Sequence, residues 1–295
     1  MAETLDNKVY LKDGEGSSYA VAEHQVNGSK YFLYTKFIPP RELFPCLEQY
    51  EARPGDVWLL TYHKAGTHWV YEIIGILLRG ELKPLPDTKI VGFVEFTPSA
   101  MTQEAPGLYS THMNEKYLPK SVFEQGKSIV VVRNPKSVAT SAYHFCVDRP
   151  AMEYSGTFSG FLAEYNKIGA FGEYCGTWYE YYLPMWKKYK DNPNVLFVFF
   201  EDLKKDTVTQ IKRIADFLGV ERDLAFCEGV ADLSSFDKMK QSLGKKEKSQ
   251  LTLHRKGTIN DWKNKFTVQE NEEFNNQYEE KMQECPDLKA RIQFT

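Results

Sequence analysis

Residues 57–69 read Val-Trp-Leu-Leu-Thr-Tyr-His-Lys-Ala-Gly-Thr-His-Trp and decide the fold, because they predict a strand, a tight turn and the start of a helix. The strand is predicted from an apolar, β-rich run that follows the chain breaker Pro54-Gly55-Asp56. The helix is predicted from apolar residues spaced to fill one of its faces, namely Trp69, Val70, Ile73, Ile74, Leu77 and Leu78.

The turn between this strand and this helix predicts a site for an anion. The amides of Ala65, Gly66, Thr67 and His68 are expected to point out of the helix N-terminus, where the helix dipole favours negative charge. Lys64 adds a full positive charge at the same place. The standard P-loop has a different spacing, since its lysine follows its second glycine. Taken alone, the turn fits either a phosphate or sulfate site or an ordinary turn with a solvated lysine.

Three further strands are predicted along the chain. Residues 108–112 form a short strand that ends on His112, and the β-branched run 128–132 forms a buried strand that ends at Arg133. Residues 194–202 form another buried strand. Helices are predicted between and after these strands, over 135–145 with Pro135 in the first turn, over 178–189, and over 207–218 with Gly219 as the stop.

Alternating strands and helices predict an α/β fold with a mainly parallel central sheet flanked by helices. Ligands of such sheets collect at the carboxyl ends of the strands, so Lys64 and His112, which both follow strand ends, are expected to converge there. Each residue also has a plainer interpretation. A single histidine is more often structural than catalytic, and Arg133 is either an ordinary strand-terminal charge or a planar donor fork for a phosphate.

Composition and charge exclude several classes of function. The 295 residues carry 37 basic and 40 acidic side chains, a net charge of −3, so no chain-wide basic field predicts a nucleic-acid partner. The five cysteines are scattered without the close pairs of a zinc site, which predicts reduced thiols and no metal. No apolar run approaches the length of a membrane span, about 20 residues, and no signal-peptide core precedes the fold. A cytoplasmic protein without a membrane partner is expected.

A single domain is expected over residues 1–295, with 1–36 as an irregular N-terminal segment. A Pro-flanked loop carries Phe93 and Phe96, which could wall an apolar pocket. Residues 244–248 are interpreted as a mobile loop, and the basic tetrapeptide 254–257 that follows could approach a ligand through its glycine. A capping box over 267–270 starts the closing helix.

Taken together, these residues make the chain similar to the cytosolic sulfotransferases, which move a sulfuryl group from 3′-phosphoadenosine 5′-phosphosulfate (PAPS) to a small acceptor. Four signatures in the family's order carry the resemblance, which extends over essentially the whole chain. They are the turn 64–67, Thr111-His112, the unit from Arg133-Asn134 to Ser141, and Arg255-Lys256-Gly257 before Asp261-Trp262. The resemblance implies the P-loop-kinase-like sulfotransferase fold in one domain.

The resemblance also implies a role for each matched position. The turn 64–67 would grip the 5′-phosphosulfate, and Lys64 and His112 would be catalytic, the lysine at the leaving phosphate and the histidine as base. Contacts with PAPS are implied for Lys64, Ala65, Gly66, Thr67, His68, Trp69, Arg133, Ser141, Phe200, Ser234, Phe236, Met239, Arg255, Lys256 and Gly257. An acceptor pocket is implied for Phe93, Phe96, Phe145 and Met152, with no metal. Residues 263–272, from Lys263 to Glu272, match the family's dimer motif and imply a homodimer, although simple helix capping would produce the same pattern.

Several positions depart from the family pattern. Ser110 stands where a lysine usually assists the sulfuryl group, Phe200 replaces a tyrosine, and His68 replaces a phosphate-binding threonine. His63 and Ala65 are also unusual, and we hypothesise that His63 or His68 compensates for the lost donors. Two functions compete at this point: sulfuryl transfer to a small phenol, steroid, alcohol or amine, and PAP or PAPS binding with weak or no turnover. A nucleotide kinase or NTPase is a third alternative, which the missing Walker spacing argues against.

Overall fold

Two sheets and a series of helices make up the part of the chain that the structure describes. This computed structural model describes residues 8–26, 29–33, 40–85, 92–97, 101, 107–169, 172, 174–244 and 259–294. Its strands are β1 (Lys8–Lys12), β2 (Ser18–Val26), β3 (Ser29–Leu33), β4 (Val57–Thr61), β5 (Leu108–Thr111), β6 (Lys127–Val132) and β7 (Val195–Phe199). The α-helices are α1 (Pro40–Glu48), α2 (Thr67–Arg79), α3 (Ser121–Glu124), α4 (Pro135–Val147), α5 (Phe158–Ile168), α6 (Trp178–Tyr189), α7 (Phe200–Lys205), α8 (Thr207–Leu218), α9 (Leu224–Leu233), α10 (Phe236–Gly244), α11 (Val268–Met282) and α12 (Pro286–Lys289). Short 3₁₀ helices cover Glu115–Tyr117, Pro150–Met152 and Asp261–Asn264.

The central sheet is parallel and runs in the order β5-β4-β6-β7. Successive side chains along β4 point into two different cores: Trp58 and Leu60 belong to one, whereas Val57 and Leu59 belong to the other. Both faces are covered by helices, with α2, α8 and α9 on one side and α4, α6 and α11 on the other. This explains why the strands read as continuous apolar runs, and it confirms the predicted fold class.

The last predicted strand is shorter than expected. The prediction of a strand over 194–202 is wrong at its end, because β7 stops at Phe199 and α7 begins at Phe200. Phe200 is buried, and an apolar side chain is equally suited to a buried strand and a buried helix, so it could not mark the change from one to the other.

The N-terminal region is a second, antiparallel sheet in the order β1-β2-β3. The expectation of an irregular segment over 1–36 is therefore wrong for its described residues. Ala20, Val21 and Ala22 are all buried, so β2 lacks the alternation that announces a strand. A signal was nevertheless present in the sequence, since the paired residues Val26 and Ser29 are separated by Asn27-Gly28, a dipeptide typical of two-residue hairpins.

The remaining helices largely follow the sequence. α6 and α8 have the predicted bounds, Gly219 caps α8 in the left-handed conformation, and Pro135 occupies the first turn of α4. The capping box between Thr267 and Glu270 begins α11. Within the described residues, no helix is both long and apolar enough to cross a bilayer.

Candidate active site

The carboxyl ends of the four parallel strands bring the candidate residues to one edge of the sheet. Thr111 precedes His112, Thr61 lies two residues before His63, and β6 ends just before Arg133. His112 contacts Thr61, and an Arg133 Nη donates to the carbonyl of Lys64 over 2.9 Å. The predicted convergence of Lys64 and His112 is confirmed, and Arg133 lies at the same edge of the sheet.

The turn before α2 is held in an unusual backbone conformation. Lys64 has a φ of 67° and Gly66 a φ of 118°, both in the left-handed region. A left-handed lysine costs about 1–2 kcal/mol, so the surrounding contacts must impose it. Such strain is typical of ligand clamps.

The amides of this turn are not all directed outward. The Ala65 N–H donates to the Tyr62 carbonyl over 3.0 Å, so the expectation that it points out of the helix is wrong: it closes the turn instead. The amides of Gly66 and Thr67 donate to no carbonyl among the described residues. These two amides suit an anion bound at the N-terminus of α2.

Phe200 packs against the turn at Gly66. A Cβ on Gly66 would lie 2.8 Å from Phe200 Cδ2, so only glycine fits there. Trp69 packs edge-on against Phe200 at 5.4 Å between ring centroids, and the Arg133 guanidinium lies 4.3 Å from the Phe200 centroid. Phe200 is 6% exposed and therefore acts as a platform for the turn, for Trp69 and for Arg133.

Arg133 is oriented by its neighbours. Besides its bond to the Lys64 carbonyl, its own carbonyl accepts a hydrogen bond from Trp178 Nε1 over 2.9 Å. The next residue, Asn134, caps α4 by accepting from the amides of Lys136 and Ser137. The Arg133 guanidinium therefore ties the β4 turn to the start of α4.

His112 is held so that one ring nitrogen is committed. Its Nδ1 lies 2.7 Å from the Thr61 carbonyl, which can only accept, so Nδ1 carries the proton and donates. Nε2 then keeps its lone pair. The pKa of His112 is lowered to about 4, chiefly by burial; the hydrogen bond to Thr61 opposes this shift and the charge of Lys64 adds to it, so the ring is neutral at pH 7.

A buried carboxyl lies behind His112. Glu95 Oε1 accepts from the His112 amide over 2.6 Å and from the Thr111 hydroxyl over 2.7 Å. Burial raises the pKa of Glu95 to about 7, although these hydrogen bonds oppose the shift. The His112 carbonyl is also held, because it accepts from the Cys175 thiol over 3.0 Å. Glu95 thus fixes the backbone that carries His112.

Aromatic rings connect the predicted acceptor residues to the turn. Phe93 lies 5.3 Å from Phe96 and 4.8 Å from His112, centroid to centroid. His63 lies 5.6 Å from His112 and 4.7 Å from Phe145. Lys64 Nζ is 4.6 Å from the Phe145 centroid. Three of the four predicted acceptor residues are thus linked to the turn by a chain of ring contacts through His112 and His63.

The fourth predicted acceptor residue, Met152, lines a cavity of about 60 Å³ together with His63 and Tyr165. Tyr19 and Val21 of β2 form part of the same lining. Sequence reasoning missed the residues of β2, because their region was expected to be irregular. It also missed Thr61 and Glu95, and nothing in the sequence marks either one.

The remaining predicted cofactor residues occupy four places in the fold. Ser234 is fully buried at the end of α9, and its hydroxyl has no hydrogen-bond partner among the described residues. Met239 is buried on α10, which begins at Phe236. Ser141 is half-buried about two turns into α4, and His68 is half-buried in the first turn of α2. Arg255, Lys256 and Gly257 lie outside the described residues.

The described histidines, cysteines and carboxylates form no group of three or more that could hold a metal ion. The arrangement instead offers to an anion a cation, a planar guanidinium and two amides that donate to no carbonyl among the described residues, with a neutral imidazole alongside. That combination suits transfer of an anionic group to a protic acceptor.

Comparison with known proteins gives a consistent result. Residues 54–286 match the family model described as "Sulfotransferase domain". The chain is 33% identical to sulfotransferase 1A1 of Bos taurus over 279 residues, covering 85% of this chain and 93% of that protein. It is 34% identical to cytosolic sulfotransferase 1 of Danio rerio over 261 residues, covering 80% and 85%.

Solved structures agree with the sequence relatives. The crystal structure of mouse sulfotransferase SULT7A1 complexed with PAP superposes with a TM-score of 0.74 at 30% identity, covering 91% of this chain and 96% of that one. A retinol dehydratase in complex with retinol and PAP superposes with a TM-score of 0.69 at 17% identity, covering 90% of each chain, and shows the shared fold alone.

Proposed function

This chain belongs to the sulfotransferase family, and from that premise we propose that it transfers a sulfuryl group from PAPS to a hydroxyl or amine of a small, largely apolar acceptor such as a phenol, steroid or alcohol. The observation that carries the proposal is the placement of His112. Its Nδ1 is fixed on the Thr61 carbonyl, and it lies at the same sheet edge as the Lys64 turn.

The residues present fit the donor nucleotide. The amides of Gly66 and Thr67, with Lys64, would hold its 5′-phosphosulfate at the N-terminus of α2. The guanidinium of Arg133 would hold the 3′-phosphate with Ser141. The adenine would lie between Trp69 and Phe236. The buried Ser234 hydroxyl, which lacks a hydrogen-bond partner among the described residues, would find one near it.

The proposed chemistry divides between donor and protein. PAPS supplies the sulfuryl group: its sulfur–oxygen bond to phosphate breaks as a new bond to the acceptor oxygen forms. His112 accepts the acceptor's proton on Nε2, which is free to do so because Nδ1 already donates to Thr61. Lys64 places positive charge where negative charge develops on the leaving phosphate.

The departures from the family pattern bear on rate. Ser110 is 1% exposed within the sheet and provides no cation. Losing one donor of this kind lowers the catalytic rate by about 10²–10³-fold. Lys64 and the neutral His112 remain at the site, so turnover is proposed in preference to binding alone.

Location and assembly are part of the same proposal. We propose a cytoplasmic enzyme that forms a homodimer through Lys263–Glu272. Val268 in this segment is 76% exposed, which suits an interface, while the capping box at Thr267 also satisfies the plainer role of starting a helix. Sedimentation of the wild type and Val268→Glu would decide between them, because an unchanged oligomeric state in the variant would contradict the interface.

Two measurements on the purified chain test the enzyme proposal. PAP should raise the melting temperature, because a ligand that binds only the folded state stabilises it. Labelled sulfate should then pass from PAPS to members of a panel of phenols, steroids, alcohols and amines. PAP binding with no transfer to any acceptor would replace the enzyme by a PAP-binding protein.

A further inference from the structure

A short parallel ladder of backbone hydrogen bonds joins residues 92–97 to β5. The Ser110 amide donates to the Gly92 carbonyl over 2.6 Å, and the Val94 amide donates to the Ser110 carbonyl over 3.1 Å. In a regular parallel ladder the next amide to bond this segment would be that of His112, and its acceptor would be the Val94 carbonyl. The ladder departs from the regular pattern at this amide.

The His112 amide donates instead to a side chain, the Oε1 atom of Glu95, over 2.6 Å. The same oxygen accepts from the Thr111 hydroxyl over 2.7 Å. A carboxyl group therefore takes the place of a backbone carbonyl as the acceptor. The two kinds of acceptor differ in one respect, because a buried carboxylate can gain a proton near neutral pH and a carbonyl cannot.

The surroundings of Glu95 make its charge important for these two bonds. The residue is 0% exposed, and its Oε2 is buried without a hydrogen-bond partner among the described residues. Because Oε1 already accepts two hydrogen bonds, an added proton would lie on Oε2. Such a proton removes the negative charge that strengthens both bonds of Oε1. The backbone at His112 is therefore held more firmly when Glu95 is ionised.

Glu95 is the member of this cluster that changes charge near neutral pH. Burial raises its pKa to about 7, against the effect of its hydrogen bonds. The titratable side chains that face it are His112, Tyr174, Cys175 and, from α6, Tyr181. The pKa of His112 is lowered to about 4, and burial raises the pKa values of the other three well above their usual range. None of these four neighbours changes charge between pH 6 and pH 8.

A shift of the backbone at His112 would change the position of the proposed base. The ring is placed by its Nδ1 bond to the Thr61 carbonyl and by Phe93, whose ring lies 4.8 Å away, centroid to centroid. Phe93 belongs to the same segment as Glu95, so this segment contacts both the ring and the backbone of His112. The turn proposed to hold the donor follows a different strand, β4, and its binding of PAPS should not depend on Glu95.

We propose that the ionised carboxylate of Glu95 positions His112 for catalysis, so that protonation of Glu95 slows sulfuryl transfer. Glu95 is a positioning residue, because it acts through the backbone amide of His112 and not on the donor or the acceptor. The inference rests on the proposed sulfuryl transfer and adds a pH-sensitive control of the same site: transfer is fast above pH 7 and slow below it.

The test is the single-turnover rate of transfer from saturating PAPS between pH 6 and pH 8, with an acceptor that does not titrate in this range. The wild-type rate should rise about 10-fold with a midpoint near pH 7, the difference expected between a charge-assisted and a neutral hydrogen bond. Glu95→Gln keeps an oxygen acceptor but cannot ionise. Its rate should therefore be independent of pH and equal to that of the wild type at pH 6.

Glu72→Gln is the matched control. Glu72 is also a buried carboxyl that accepts from a backbone amide, but it lies on α2 and its bond, of 2.8 Å, is to Leu85. The variant should keep the wild-type dependence of rate on pH.

Stability separates a positioning role from a purely structural one. Because its pKa is raised in the folded state, Glu95 contributes stability while it is protonated and loses that contribution as pH rises through 7. Glu95→Gln stays neutral, so its melting temperature at pH 8 should be no lower than that of the wild type, with the same PAP-induced shift.

Three results would overturn the inference: a wild-type rate that does not rise between pH 6 and pH 8, a rise that persists in Glu95→Gln, or a variant that is slow because it is less stable or no longer binds PAP. Transfer to no acceptor at any pH is a different outcome, which would mean failure of the proposed function.

Discussion

His112 shows how single contacts define a residue's chemistry. The Thr61 carbonyl selects the tautomer, and burial keeps the ring neutral, so Nε2 is available as a base. Glu95 reaches the same residue through its backbone amide and sets the position of the ring without touching it. The residue types do not predict these contacts, because Thr61 acts through its backbone carbonyl and Glu95 contacts the backbone amide of His112.

The protonation of His112 provides a prediction at this scale. Burial depresses the pKa from 6.5 to about 4, so the neutral ring contributes stability that is present above pH 6.5 and lost as pH falls through 4. In the nucleotide-free protein, the imidazole resonances of His112, assigned with His112→Asn, should therefore titrate near pH 4 by NMR. A midpoint near 6.5 would contradict the buried, Thr61-bonded arrangement.

At the scale of elements, the apolar pattern predicts which residues are buried better than it predicts whether they form a strand or a helix. β4 and β6 were predictable because both of their faces are covered, which produces uninterrupted apolar runs. The same property hid the end of β7, where Phe200 extends the apolar run into a helix. β2 was missed because buried Ala20, Val21 and Ala22 break the alternation, and its Asn27-Gly28 signal was overlooked.

Gly66 gives a prediction for the turn–helix element. Gly66→Ala combines a left-handed φ of 118° with a Cβ 2.8 Å from Phe200, and should destabilise the protein by about 2–4 kcal/mol. Gly219→Ala is the matched control, because Gly219 has a φ of +74° with no atom within 4 Å of the added Cβ. It should cost about 1 kcal/mol.

Urea unfolding measures both variants, and the PAP-induced shift in melting temperature measures the site. Only Gly66→Ala should lose that shift, since the added Cβ displaces Phe200 and with it Trp69 and Arg133. Equal destabilisation by the two substitutions would mean that Phe200 does not support the turn.

At the scale of the whole molecule, the C-terminal region is attached to the start of α4. Lys136 is 1% exposed and donates to Asn271 over 2.5 Å and to Asn275 over 2.6 Å. Its ammonium lies 4.5 Å from the Trp262 ring and 4.8 Å from the Phe294 ring. The Asn134 side chain also donates to the Gln293 carbonyl over 2.6 Å. The segment that follows the predicted 255–257 phosphate contacts is thus joined to the residues beside Arg133.

Lys136→Ala should destabilise the protein by about 2–4 kcal/mol, because it leaves a cavity among the rings and two amides without their partner. Lys263→Ala is the control: its ammonium also lies over Trp262, at 5.8 Å, but the residue is exposed. It should change the free energy of unfolding by less than about 0.5 kcal/mol in urea. A Lys136→Ala variant as stable as this control would show that the attachment contributes nothing.

The central claim is that this sheet edge catalyses sulfuryl transfer with His112 as the base. A single-turnover assay tests it most directly, with excess enzyme, labelled PAPS and the best acceptor of the panel, comparing the wild type with His112→Asn. The account predicts transfer by the wild type and a rate about 10²–10⁴-fold lower in the variant, with the PAP-induced shift in melting temperature preserved. Equal single-turnover rates in the two proteins, at equal PAP binding, would contradict it.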